Sequence, residues 1–364
     1  MKVLSFVLLL FYLIACNQPK EAKTEPSTEE NKQEEVSTPT LEVVAELDIN
    51  PGNVAVSNQG RVFMSVHPLR EPSMQLVEVL GDNQYKPFPN ASYQSEKDNK
   101  TEETFDAPLG VLVDKKDRLW VIDAGLNIGK SRLFAFSVVT GEELYRFTIP
   151  EDLAPATSFV QDVAIDDINE WAYLADFGNP GIIAIDIANG TFRKFSDSTM
   201  VAEDIDMVID GKQQFFQGSP ARVGINPITL SDDRATLFYG AMSGTKWYQI
   251  PSNLFRENGS DEDLKASITV AGPKPICDGV DTDALGNHYF TNIQNNSIDM
   301  LDGAGNLTTL VKDPKLDWPD NIRVGPDGWL YVAINQLHKT PAFTGGDDTS
   351  TLPFYIVRVK APTQ

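Results

Sequence analysis

Six stretches of this chain share one alternation of apolar and polar positions. In each, a short apolar run meets an Asp/Gly/Asn turn and continues into a run rich in aromatic and β-branched residues. The stretches are Asn53–Val66, Gly110–Asp123, Val163–Asp176, Gly224–Gly240, Gly279–Asn292 and Asn321–Asn335. Apolar runs of this length, bounded by turn residues, read as buried strands joined in hairpins. Further strands are predicted at Gln75–Leu80, Leu133–Ser137, Ile182–Ile187, Trp247–Ile250 and Ser297–Leu301.

The turn centres recur about every 40 to 65 residues, the size of a four-stranded propeller blade with loop insertions. The pattern therefore predicts an all-β, six-bladed β-propeller over residues 41–364. The last stretch lacks room for four strands, since after Asn335 only Phe354–Lys360 reads as extended. The missing strand is Leu41–Leu47, which precedes the first stretch and belongs to no other blade. Joining the two ends of the chain in one blade would close the ring and remove its exposed edges.

The N-terminus is of a different kind. Lys2 precedes an apolar run, Val3–Ile14, of signal-peptide length and too short for a comfortable membrane span. Its end, Leu13-Ile14-Ala15-Cys16, resembles a bacterial lipobox. Residues 1–15 are thus expected to be a signal peptide, with Cys16 the lipidation site. Residues 16–40 are rich in Glu, Lys, Pro and Thr and too poor in apolar side chains to fold, so they read as a disordered tether. The expectation is an extracytoplasmic protein held on the outer membrane through lipid alone, facing either the periplasm or the surface.

Charge and cysteine content narrow the function. The formal net charge of −22 disfavours nucleic acid and anionic surfaces as partners. With Cys16 in the leader, Cys277 stands alone and no disulfide framework is possible in the body. The three histidines lack zinc-type spacing, and neither a G-x-S-x-G elbow nor a phosphate-binding Gly-rich loop is present.

In a propeller, the residues that open each inner strand face the channel mouth. Those positions are Asn53, Pro108/Leu109, Gln161/Asp162, Ile225/Asn226, Asp278 and Asp320/Asn321. Asp162, Asp278 and Asn321 are the leading candidates for contact with a small-molecule ligand, joined by Asn226 and Asn335. Each has a structural alternative, an Asx side chain bonding backbone where a strand begins. Asp123 and Asp176, at the ends of second strands, read as turn or cap residues.

Four segments resemble the major royal jelly protein/yellow family: Leu119–Gly125, Trp171–Asp186, Gly224–Pro251 and Trp318–Leu337, in family order. The resemblance implies a secreted six-bladed propeller. Some members bind small aromatic amines centrally, and yellow-type members are linked to dopachrome conversion. An amine would pair with Asp162 and Asp278, while Asn321 and Asn335 fix its orientation. The chain differs from the animal members in its lipobox and in lacking their disulfide cysteines.

More distantly, the chain is similar to gluconolactonase/regucalcin-like propellers. These hold a divalent cation on the axis with Glu, Asn and Asp side chains. That resemblance implies a lactone hydrolase in which Asp278 and Asn321 bind calcium or another divalent cation. The glutamate expected in the first blade is replaced by Asn53. A third reading is a protein-interaction scaffold using outer loops.

Overall fold

The computed structural model describes residues 39–70, 72–95 and 99–362. The expected signal peptide, Cys16 and the tether to residue 38 lie outside the described residues. Six four-stranded antiparallel sheets make up the structure, and their innermost strands are Pro51–Val56, Pro108–Val113, Val160–Asp166, Ile225–Leu230, Cys277–Thr282 and Pro319–Val324. We number the sheets blades 1 to 6 in that order. Each innermost strand pairs with the large-residue strand predicted to follow it, for example Val121 with Val111 in blade 2. The intervening strands fall where expected to within a residue, as Gly181–Asp186 and Ser297–Leu301 illustrate.

Blade 6 closes the ring as anticipated. Its order from the axis outward is Pro319–Val324, Trp329–Ile334, Phe354–Lys360 and then Glu42–Leu47. Ala45 and Leu47 of that outer strand are fully buried in one apolar cluster with Val54 and Met64 of blade 1 and Phe354 and Ile356 of blade 6.

Local chemistry explains the repeated motif. In blade 5, Asp283 accepts the backbone N–H of Leu285 and of Asn287, each at 2.9 Å, and the Asn287 amide also donates to it. Asp302 and Asn306 repeat the same bonds in the next hairpin. Gly286 takes the positive φ of +83° that this turn requires. The Asp/Gly/Asn turns are thus side-chain-stapled hairpins. Gly279 has another purpose: a Cβ there would lie 2.6 Å from the Asp320 carbonyl, where blades 5 and 6 meet at the axis.

Two elements have no counterpart in the repeat. Between blades 3 and 4 the chain forms two small hairpins, Val208–Ile209 with Lys212–Gln213 and Phe215–Phe216 with Ser219–Pro220. In blade 6, residues 337–344 form a 3-10 turn and a short helix, Pro341–Thr344. The Gln217 N–H donates to the Ala342 carbonyl at 2.7 Å, and Phe216 meets Phe343 edge-on at 5.1 Å. Met207, Ile209, Met242, Ile293, Trp318 and Leu337 share the apolar cluster beneath them. Together these segments roof the mouth at which the inner strands begin.

Candidate functional site

The innermost strands carry their polar residues to the axis at the roofed end. Asn53, Gln161, Asp162, Asn226, Asp278, Asp320 and Asn321 meet there around Gly279, packed so closely that no water-sized space remains. Five of the six predicted mouth positions therefore converge; the exception is the pair Pro108/Leu109 of blade 2.

Two carboxyl groups dominate the cluster. Asp278 accepts the Asn226 amide at 2.6 Å on one oxygen and the Trp318 indole N–H at 2.8 Å on the other. Asp320 accepts the amides of Asn53, at 3.1 Å, and of Asn335. All these donors are neutral. Burial pushes the Asp278 carboxyl up to about 7, with the Asp162 charge adding to the effect and the Trp318 and Asn226 bonds opposing it. Asp320 is also held well above the usual carboxylate range, first by burial and then by the charge of Asp278. Like charges in one buried site disfavour each other's ionisation, so a cation placed here would relieve both. The amide oxygens of Asn226 and Asn335 are buried without a partner and add acceptor capacity beside the pair.

Asp162 differs. It accepts the Arg323 guanidinium at 3.0 Å and the Val163 N–H at 2.8 Å, so its counter-ion is internal. Arg323 also donates to the carbonyls of Val111 and Val280, both at 3.1 Å, spanning blades 2 and 5 across the axis. Asn321 holds the seam between blades 6 and 1, its amide oxygen accepting the Val54 N–H at 3.1 Å, while its buried NH2 group has no partner. Of the leading candidates, Asp278 alone thus faces other groups of the cluster without a charged partner. Asn226 and Asn335 turn out to be its companions and those of Asp320.

Below Arg323 the channel opens into a cavity of about 370 Å³ at the other mouth. In its lining, Lys115 and Asp232 form an ion pair at 2.6 Å. Arg323 divides this chamber from the carboxyl pair.

Trp318 and Arg323 were not singled out by sequence reasoning. Trp318 is buried, with φ of +58°, a left-handed backbone that costs a bulky residue about 1–3 kcal/mol. Pro319 after it favours extended backbone at this position, so the conformation is unfavourable twice over. Gln336, across the same hairpin, also has positive φ, 52°, and its N–H donates to the Asp317 carbonyl. The Trp-Pro-Asp run marked an aromatic at the mouth of blade 6, but the acid it meets, Asp278, belongs to blade 5, and only the fold brings the two together.

The donor set weighs on the metal reading. Among the described residues no group of three or more His, Cys, Asp or Glu side chains is placed to share a metal ion. Asn53, where a glutamate was expected, donates its amide to Asp320 and supplies no charge. The residues present do not match a hard-cation site built on several carboxylates.

These features define a six-bladed propeller with a roofed, acid-bearing axis. The family profile described as major royal jelly protein matches residues 107–360, and the chain belongs to that family. It is 26% identical over 196 residues to major royal jelly protein 2 of Apis mellifera, an alignment covering 49% of this chain and 41% of that protein. The chain thus spans about two fifths of the length of such relatives. Among solved structures it is similar to a gluconolactonase from Xanthomonas campestris, with a TM-score of 0.56 at 10% identity, covering 89% of this chain and 90% of that one. It is also similar to virginiamycin B lyase from Staphylococcus aureus, with a TM-score of 0.53 at 14% identity, covering 89% and 99%. At these identities the likeness shows the fold alone.

Proposed function

We propose that this propeller is a small-molecule-binding protein that receives the cationic nitrogen of an amine at Asp278 and Asp320. The observation that carries this reading is the pair of buried carboxyls faced only by neutral donors. Buried acids flanked by amide acceptors suit an ammonium group, which brings both charge and several N–H donors. Calorimetry with phenethylamine and tryptamine tests it. Binding should be measurable in the wild type and at least tenfold weaker in Asp278→Asn, a loss of about 1.4 kcal/mol. No binding by the wild type, or unchanged binding in the variant, rejects the reading.

The sign of the pH dependence follows from the raised carboxyl. Below about 7, Asp278 holds its proton and presents no charge, whereas an alkyl ammonium stays charged throughout this range. Affinity should therefore rise between pH 5.5 and 8. The lactone hydrolase and scaffold readings find no specific support in the geometry.

The cellular setting is proposed from the N-terminal sequence. Lipid at Cys16 would hold the propeller on the bacterial envelope, with residues 17–40 as the spacer. In cell fractionation, Cys16→Ala should move the protein out of the membrane fraction and abolish incorporation of a labelled fatty acid. Retention of label by the variant would exclude this anchor.

A further inference from the structure

We infer that Trp318 is a resident occupant of the ligand site, so that a ligand carrying an aromatic ring reaches Asp278 and Asp320 by displacing its indole. The inference rests on the reading that Asp278 and Asp320 receive the ligand's nitrogen, and it adds where the rest of the ligand lies.

The indole does three things that such a ligand would do. Its N–H donates to Asp278 Oδ2 at 2.8 Å, on the carboxylate face away from the Asn226 amide. Its ring lies parallel to His338, with centroids 5.9 Å apart and planes 13° from parallel, and meets Phe343 edge-on at 5.2 Å. Met242, Ile293 and Leu337 belong to the same apolar cluster under the roof. An aromatic slot with one polar anchor is the usual composition of a small-molecule site, and here a side chain of the protein fills it.

Backbone geometry makes Trp318 suited to leaving. Its left-handed φ is relieved if the residue returns to extended backbone. The two segments above it are joined by the Gln217–Ala342 bond and the Phe216–Phe343 contact, and both send side chains into the apolar cluster around the indole. From below, Arg323 and its carbonyl partners close the axis, so a ligand reaches Asp278 from the roofed side.

Trp318→Gly is the direct test. Glycine accepts the positive φ without strain and leaves an indole-shaped space. The variant should bind free indole, which the wild type does not, and should bind tryptamine at least tenfold more tightly than the wild type. A folded Trp318→Gly protein that binds no indole, or tryptamine no better than wild type, overturns the inference. Where that variant fails to fold, Trp318→Phe keeps the ring and removes the N–H donor; tryptamine should then bind more tightly, and unchanged or weaker affinity is refutation.

In the wild type, phenethylamine should shift tryptophan emission to the red as the indole leaves its buried slot. Saturation without a shift counts against the inference. The two ideas fail separately. Amine binding lost in Asp278→Asn but indifferent to Trp318 keeps the carboxyl pair and discards the occupant. Indole binding by Trp318→Gly with no amine binding anywhere keeps the occupant and discards the cation.

Discussion

A chain shortened to begin at Asp48 should fail to form the ring. The lost strand, Glu42–Leu47, is the outermost of blade 6 and pairs with Phe354–Lys360 from Glu42↔Arg358 to Leu47↔Phe354. Its removal strips the cluster joining blades 6 and 1 of Ala45 and Leu47, both fully buried. Burying a leucine side chain contributes roughly 1.5–3 kcal/mol, and the ladder bonds and the neighbours it covers add to that. The total is a large share of the roughly 5–15 kcal/mol by which domains are stable. Removal also bares the edge of Phe354–Lys360, an invitation to aggregate. Size-exclusion chromatography and thermal melts provide the check. A monomeric truncated protein that melts cooperatively at the wild-type temperature would refute the closure argument.

Arg132→Met should cost about 3–5 kcal/mol in urea denaturation, the usual penalty for leaving one member of a buried ion pair alone. Arg132 and Asp123 are almost wholly buried and lie 2.7 Å apart. The guanidinium also donates to the carbonyls of Glu102, at 2.6 Å, and Thr104, at 2.8 Å, and so ties the loop before blade 2 to the sheet. Asp123 in turn accepts the backbone N–H groups of Asp106, Ala107 and Gly125. Adding Asp123→Asn to Arg132→Met should recover part of the loss, because the acceptor stays and the stranded charge goes. A single variant within 1 kcal/mol of wild type (an order-of-magnitude threshold) would show that the pair is dispensable.

These two sites also show what could be read in advance. The ring was legible because every blade solves the same local problem with the same turn chemistry. Leu41–Leu47 had no partner within its own repeat, which pointed to the other end of the chain. The roof was not legible. Residues 201–223 carry Met207, Ile209, Phe215 and Phe216 without strand or helix periodicity, and only tertiary contact determines where they lie.

At the axis, strand phase identified the positions of Asn53, Asp162, Asn226, Asp278 and Asn321. It did not show which acid has a counter-ion. That depended on Arg323, two residues into the same strand as Asn321, reaching across to Asp162. Asp123, read as a turn or cap residue, does bond backbone as a cap would, and it also neutralises a buried guanidinium.

Arg323 has a kinetic consequence. A guanidinium tethered to three blades makes the propeller a cup rather than a pipe. For the ligand proposed above there would be one doorway, shared by arrival and departure. Whatever slows opening of the roof then slows entry and exit by the same factor. Under the proposed function, dwell time at the carboxyl pair would be adjustable through residues that never touch the occupant, with equilibrium affinity left as it was.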